Sequence, residues 1–127
     1  MSIDQMFSLK GKVALVTGAS QWIGWDIATV FAEAGAAIII TSRDLSKARK
    51  AAKRLEAEYG CSSLGIDLEV GDPQSVARCF DRVKEWKGRL DILVNNAGGG
   101  SGRSEGNILH RDPADQESLV RANLLGV

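Results

Sequence analysis

Short apolar runs alternate with amphipathic helical patterns along the chain, and this alternation limits its fold more than any other feature. The segments at residues 13–16, 37–41, 63–67 and 90–94 predict four β-strands. The first two are continuously apolar, as strands buried on both faces are. Strands that alternate with helices in this way form a parallel sheet with helices on both faces.

The helices are predicted from apolar residues that recur at spacings of three and four. Gly35 and Gly60 end the first two, Asp44 and Asp72 cap the second and third, and the last begins near Pro113. The predicted apolar faces are, in chain order, Ile23, Ile27, Val30, Phe31 and Ala34; Leu45, Ala48, Ala52, Leu55 and Tyr59; and Val76, Phe80, Val83 and Trp86.

Right-handed crossovers make such a sheet doubly wound, with a predicted strand order of 3-2-1-4. A ligand crevice then lies at the carboxyl ends of the first and fourth strands. We expect one Rossmann-like α/β domain over residues 1–127, incomplete at its carboxyl end because the chain stops before a fifth strand.

Composition excludes several classes of protein. Among 127 residues, 16 acidic side chains balance 16 basic ones, which gives no field for nucleic acid. The amino terminus lacks the pattern of a secretory signal, and no apolar run approaches the roughly 18 residues of a membrane span. Cys61, Cys79 and His110 are isolated, so we expect reduced thiols, no metal site and a cytoplasmic protein without a membrane partner.

Residues 17–24, Thr-Gly-Ala-Ser-Gln-Trp-Ile-Gly, form a turn between the first strand and its helix. Gly18 permits a sharp turn, and Gly24 lets the helix pack close to the sheet. The free amides at the helix start favour a pyrophosphate. The alternative is a tight strand-helix turn without a ligand.

A second unusual turn, Asn-Asn-Ala-Gly at residues 95–98, closes the fourth strand. It is followed by a segment rich in Gly and Ser, residues 98–107, which we interpret as a mobile loop near the crevice. The predicted strand order brings both turns to the place where a nucleotide would lie.

These two motifs resemble those of the short-chain dehydrogenases/reductases, whose loop reads T-G-x-x-x-G-x-G and whose fourth strand ends in N-N-A-G. The resemblance extends over essentially the whole chain. It implies binding of a nicotinamide dinucleotide and, in complete members, hydride transfer between that cofactor and a small alcohol or carbonyl substrate.

The resemblance also implies roles for individual positions. Those matching the pyrophosphate and ribose loop are Gly18, Ser20, Trp22, Ile23 and Gly24. Those matching the adenine side of the crevice are Asp67, Leu68, Asn95, Ala97 and Gly98. Asn123 matches the asparagine of the catalytic tetrad, which helps to organise a proton-relay water. The alternatives are a solvated turn acid at Asp67 and a plain helix residue at Asn123.

The end of the second strand bears on cofactor choice. Members that bind NAD commonly carry an acid there, whereas this chain reads Thr41-Ser42-Arg43. Arg43 can pair with the 2′-phosphate of NADP, and Ser42 can donate to it. We therefore expect NADP to be preferred over NAD, although Gln21 does not supply a second basic residue and Arg43 alone also suits an ordinary surface position.

Trp22 departs from the family pattern because it occupies the place of the middle glycine. Backbone and cofactor approach closely at that glycine, and a positive φ would cost a tryptophan about 1–2 kcal/mol. We expect either that the ring swings outward and the loop widens, or that it fills cofactor space and weakens binding. In the opposite interpretation, the indole stacks on a ligand.

This sequence does not contain the family's catalytic serine or its Y-x-x-x-K helix, which is a second departure from the family pattern. The one tyrosine, Tyr59, is followed four residues later by Ser63 and lies on a different helix. We expect this chain alone to be inactive, its fourth strand to present an unpaired edge, and its last helix to support a homo-oligomer. The alternatives are a non-catalytic dinucleotide-binding or subunit-interaction module and a degenerate, inactive fragment.

Overall fold

The computed structural model describes residues 1–99 and 112–127. His110 and most of the loop predicted at residues 98–107 lie outside the described residues.

The described strands are β1 (Val13–Val16), β2 (Ala37–Ser42), β3 (Ser63–Asp67) and β4 (Ile92–Val94). The described helices are α1 (Ile3–Met6), α2 (Trp22–Glu33), α3 (Leu45–Tyr59), α4 (Pro73–Lys87) and α5 (Pro113–Val120). The chain continues from α5 into a π-helical turn, Arg121–Leu125. The predicted strands are all present; β4 begins two residues later than expected.

The four described strands form one parallel sheet in the order β3-β2-β1-β4, which confirms the predicted fold. Val16, the last residue of β1, is level with Ile40 of β2 and with Val94 of β4. The carboxyl ends of these strands therefore meet along one edge, where their connecting turns can share a ligand.

Side-chain caps fix where most of the helices begin. Asp44 Oδ1 accepts the amides of Ser46 and Lys47 at 2.8 and 3.3 Å, and the side chains of Asp72 and Asp112 act in the same way for α4 and α5. Among the five α-helices in the described residues, α2 alone begins without a side-chain cap, at Gln21.

The core has two layers, one on each face of the sheet. One layer joins alternate residues of β1 and β2 to α2 and α3, and the other joins the remaining strand residues to α4. Ile38, Ile39 and Ile40 are fully buried, so β2 contributes to both layers. This burial on both faces explains why the strand is continuously apolar.

The predicted apolar face of α2 was wrong in part. The buried residues are Gly24, Ala28 and Ala32, whereas Ile23 and Val30 are 70% and 60% exposed. Small residues at a spacing of four let the helix axis lie close to the sheet, and Ile27 and Phe31 pack beside them. The pattern of large apolar residues therefore predicts the helix correctly but places its buried face at the wrong angle around the helix axis.

A similar correction applies to α4. Phe80 is 40% exposed, and the neighbouring Cys79 is buried in its place. Burial raises the pKa of the Cys79 thiol to about 11, with a contribution from the negative charge of Asp67. The thiol is therefore held in its protonated form at neutral pH and packs as an apolar group.

Asp91 ties the starts of β1 and β4 together at the other end of the sheet. Its Oδ2 accepts the backbone N–H of Val13 at 2.8 Å, and both of its oxygens accept from Arg89. The hydrogen bond from Arg89 lowers the pKa of Asp91, and the one from Val13 acts in the same direction.

Candidate functional site

A groove of about 430 Å³ lies across the carboxyl ends of β1, β2 and β4. Its walls come from the turn after β1, the ends of β2 and β3, the turn after β4, and α5. The lining residues are Gly18, Ser20, Gln21, Trp22, Ile23, Gly24, Ser42, Arg43, Leu68, Glu69, Val70, Asn96, Ala97, Gly98, Gly99, Ser118, Leu119 and Ala122.

The turns after β1 and β4 are joined through the hydroxyl of Thr17, which is 4% exposed. Thr17 Oγ1 accepts the backbone N–H groups of Asn96 at 3.0 Å and Ala97 at 2.8 Å, and donates to Val94 O at 3.3 Å. One buried side chain therefore sets the separation between the two motifs.

Asn96 strengthens the same connection from the other side. Its Nδ2 donates to the carbonyls of Thr17 at 3.0 Å and Gly18 at 3.3 Å. A Cβ added at Gly24 would lie 2.5 Å from this Nδ2 and 2.8 Å from Ala19 Cα. Glycine is required at position 24 because the start of α2, the preceding loop and Asn96 meet there.

The amino terminus of α2 faces the groove with free hydrogen-bond donors. Gln21 is extended and gives no side-chain cap, and the first turn of α2 carries no acidic residue. The amides of residues 22–24 precede the first helical hydrogen bond, so no helix carbonyl accepts them. Together with the positive end of the helix dipole, they favour an anion at this position.

A cationic side chain stands at the other end of the groove. Arg43 lies just after β2, lines the groove and forms no ion pair with any described residue. The neighbouring acid, Asp44, is engaged by the amides at the start of α3. Arg43 therefore offers a positive charge to a ligand in the groove, which Glu69 also lines.

Trp22 is the first residue of α2, at the part of the groove that carries the free amides. Its φ is 56°, and it is the one non-glycine residue with a positive φ in the described part of the chain. The side chain is 79% exposed, so the ring packs against little of the protein, and the residue lines the groove. The backbone has kept the left-handed conformation that glycine adopts freely.

Asn123 holds the turn after β4 against α5. Its Oδ1 accepts the N–H of Gly99 at 2.9 Å, and its Nδ2 donates to Gly99 O at 3.3 Å and Leu119 O at 2.9 Å. A Cβ at Gly98 would lie 2.5 Å from Asn123 Oδ1. The carboxamide is thus committed to shaping the groove wall.

Ten of the predicted cofactor-binding residues line the groove, while Asp67 and Asn95 do not. Asp67 instead lines a neighbouring hollow between α3 and α4, together with Arg49, Arg78 and Arg82. Asn95 is exposed after β4. Asn123 also lies outside the lining and reaches it through Gly98 and Gly99.

Sequence reasoning missed three residues that build the site. Thr17 and Asn96 belong to motifs that it singled out, but their hydrogen bonds cross between segments 79 residues apart. Thr41 Oγ1 accepts Gly18 N at 3.3 Å, and Thr41 O accepts Ala19 N at 3.0 Å. A threonine at the end of an apolar strand is the signal in the sequence that could have indicated Thr17 and Thr41.

The described residues contain no cluster of three or more His, Cys, Asp or Glu side chains placed to hold a metal ion. None of the described helices has both the length and the apolar character needed to cross a membrane.

A parallel sheet in this order, with a groove at its switch point and an uncapped helix start beside a glycine turn, defines a Rossmann-like α/β protein. The model of the short chain dehydrogenase family matches residues 12–127. The chain belongs to the short-chain dehydrogenase/reductase family, an oxidoreductase family.

Individual relatives agree with this assignment. The chain is 33% identical to a 3-oxoacyl-[acyl-carrier-protein] reductase from Aquifex aeolicus, over 93% of this chain and 46% of the relative. It matches a short-chain type dehydrogenase/reductase from Mycobacterium marinum with a TM-score of 0.89 and 32% identity, over 99% of this chain and 49% of the other.

A third match comes from a structure with a bound cofactor. The L-sorbose reductase from Gluconobacter frateurii, complexed with NADPH and L-sorbose, aligns with a TM-score of 0.84 and 32% identity, over 94% of this chain and 44% of that protein. The chain spans about half the length of the relatives it matches.

Proposed function

We propose that this chain is the cofactor-binding part of a short-chain oxidoreductase and that its groove takes NADP in preference to NAD. The observation that carries the proposal is that an uncapped α2 start and Arg43, which forms no ion pair within residues 1–99 and 112–127, lie on the same groove. These two positive features suit the pyrophosphate and the 2′-phosphate of one ligand.

The described residues fit such a ligand in specific ways. A Cβ at Gly18 would meet Ala97, and one at Gly24 would meet Asn96 and Ala19. These glycines therefore let the two turns and the start of α2 pack closely together beside the proposed pyrophosphate position. The loop residues that would contact the pyrophosphate and its ribose are Gly18, Ser20, Ile23 and Gly24. Ser42 and Arg43 would hold the 2′-phosphate, Leu68 would contact the adenine, and Ala97 and Gly98 would line the ribose side.

Asp67, Asn95 and Asn123 have weaker geometric support for their proposed roles. Asp67 and Asn95 lie outside the groove lining and would meet the adenine end from its margin. Asn123 would act through the position of Gly98 and Gly99, because its carboxamide already has hydrogen-bond partners on both atoms.

In the whole protein the bound nicotinamide would exchange a hydride with a small alcohol or carbonyl substrate. The part played by this chain is to bind the dinucleotide and to orient it across the strand ends. The proton donor would come from the family's Y-x-x-x-K helix, which these 127 residues do not contain. We therefore expect no turnover by this chain alone.

A titration of the purified chain with NADPH and NADH tests the proposal. A charge-assisted contact of about 1.5–3 kcal/mol between Arg43 and the 2′-phosphate predicts roughly a tenfold to hundredfold preference for NADPH. Arg43→Ala should bring the two dissociation constants within about threefold of each other, chiefly by weakening NADPH, if Arg43 supplies most of that contact.

Arg49→Ala is the matched control, because Arg49 is an exposed arginine on α3 that lies outside the groove lining. It should leave the preference unchanged. An equal loss of NADPH affinity in both variants would mean that general positive charge attracts the cofactor, and would contradict a specific 2′-phosphate contact.

A second candidate function is a non-catalytic module that pairs with a second copy of this chain. Exposed apolar side chains at the carboxyl end favour it, with Leu124 and Leu125 71% and 72% exposed. β4 is also an edge of the described sheet, with Leu93 46% exposed. The molar mass of the chain in solution tests this candidate.

A further inference from the structure

The groove has two unequal halves along the path that a dinucleotide would follow. The ends of the strands run in the order β2, β1, β4, so Ser42 and Arg43, after β2, lie on one side of the turn after β1, and Gly99, after β4, lies on the other. The uncapped start of α2 lies between them, after β1. A ligand anchored at Arg43 and at the α2 amides must pass residue 22 to reach the far end.

The half on the β2 side is built for a phosphorylated adenosine. It holds the unpaired guanidinium of Arg43, the hydroxyl of Ser42 and the buried side chain of Leu68. Gly18 allows close approach, since a Cβ there would lie 3.0 Å from Ala97 Cα. Glu69, which follows Leu68, is the one acidic side chain among the described residues that line the groove.

The passage to the other half runs past one bulky side chain. Trp22 keeps a φ of 56° and carries the largest of all side chains at the point where a glycine would leave open space. No described residue accepts a hydrogen bond from its indole or stacks on its ring, and the side chain is 79% exposed. The ring is therefore free to lie across the passage, and ordering or displacing it costs conformational entropy.

We propose that Trp22 divides the groove, so that binding energy comes from the adenosine 2′-phosphate and pyrophosphate and the nicotinamide riboside adds little. This inference rests on the proposed function and goes beyond it, because it assigns the ligand class of the native chain. That class is a 2′-phosphorylated adenine nucleotide, whether free or as part of NADP. The affinities of the two should therefore be similar.

A cycle of two ligands and three proteins tests the division. The ligands are NADPH and adenosine 2′-phosphate 5′-diphosphate, which lacks the nicotinamide riboside. The proteins are the native chain, Trp22→Gly and Trp22→Ala. Calorimetry measures each dissociation constant, and the ratio between the two ligands is compared across the proteins, so that effects common to both ligands cancel.

The native chain should bind the two ligands within about threefold of each other. In Trp22→Gly and Trp22→Ala, NADPH should become about tenfold tighter while the fragment changes less than twofold. Alanine matters because it removes the ring but keeps a Cβ at the positive φ, so a gain in both variants assigns the effect to the indole rather than to backbone strain.

The inference is overturned if the native chain binds NADPH at least tenfold more tightly than the fragment and Trp22→Ala loses that difference. That result would make the indole a stacking platform for the nicotinamide. It is also overturned if the ratio is the same in all three proteins. If neither ligand binds any of them, the proposed function itself fails, and this result is distinct from the other two.

Discussion

At the scale of single residues, the site depends on groups that satisfy one another across long sequence distances. Thr17, Thr41 and Asn96 make the hydrogen bonds that hold the turns after β1 and β4 together. None of them needs to touch a ligand. Their effect on binding is to keep the glycine turn and the Asn-Asn-Ala-Gly turn at a fixed separation.

Thr17→Val should destabilise the fold by about 1–3 kcal/mol. Valine has nearly the same shape, but it leaves the backbone N–H groups of Asn96 and Ala97 without their present acceptor. Urea unfolding followed by circular dichroism measures the change. Thr29→Val is the control, because the Thr29 hydroxyl only donates to Asp26 O within α2.

The control substitution should cost less than about 0.5 kcal/mol. If Thr17→Val unfolds at the same urea concentration as the native chain, the buried hydroxyl does not connect the two turns in solution. NADPH affinity should fall together with stability in Thr17→Val, since the groove loses the bond that fixes its width.

At the scale of helices and strands, the carboxyl-terminal elements leave apolar surface without a partner in the described residues. β4 pairs with β1 along one side, and its other side is an edge of the sheet. Val120, Leu124 and Leu125 are each at least half exposed. Open strand edges and adjoining apolar side chains favour association.

Light scattering should therefore give a molar mass above the 13.6 kDa of one chain at micromolar concentration. Leu124→Glu should restore the monomer mass, because a carboxylate cannot be buried in an apolar interface without a large desolvation cost. Val30→Glu places the same charge on an exposed position of α2 and should have no effect. A monomer mass for the native chain would contradict the second candidate function.

The order and type of the elements could be predicted because their signals are local. Asp44, Gly60 and Asp72 mark helix ends through their own chemistry, and the apolar run of β2 marks a buried strand. The face of α2 could not be predicted in the same way. Gly24, Ala28 and Ala32 carry little hydrophobic signal, and their burial depends on how closely the helix approaches the sheet.

The candidate site was predictable to the same extent. Gly18, Arg43 and Gly98 lie in recognisable turns, and the topology brings them to one groove. Asp67, the last residue of β3, lies beside that groove rather than in it and lines the hollow that Arg78 and Arg82 of α4 also line. The commitment of Asn123 to Gly99 depends on the path of α5, which the sequence motif does not contain.

At the scale of the whole molecule, the ends of four strands, an uncapped helix and the side chain of Arg43 meet at a single edge of the sheet. The neighbouring hollow between α3 and α4 has a similar size, about 400 Å³, and also contains arginines. We therefore expect the dinucleotide to bind in the groove across β2, β1 and β4 and not in that hollow.

The most direct test is to locate the cofactor on the chain by nuclear magnetic resonance. A ¹⁵N-labelled sample is titrated with NADP⁺, and backbone amide shifts are mapped residue by residue. The account predicts large, saturable changes at Gly18, Gly24, Ser42, Arg43 and Leu68, and small ones at Arg49 and Arg82. Changes centred on Arg49, Arg78 and Arg82, or no saturable change anywhere, would contradict it.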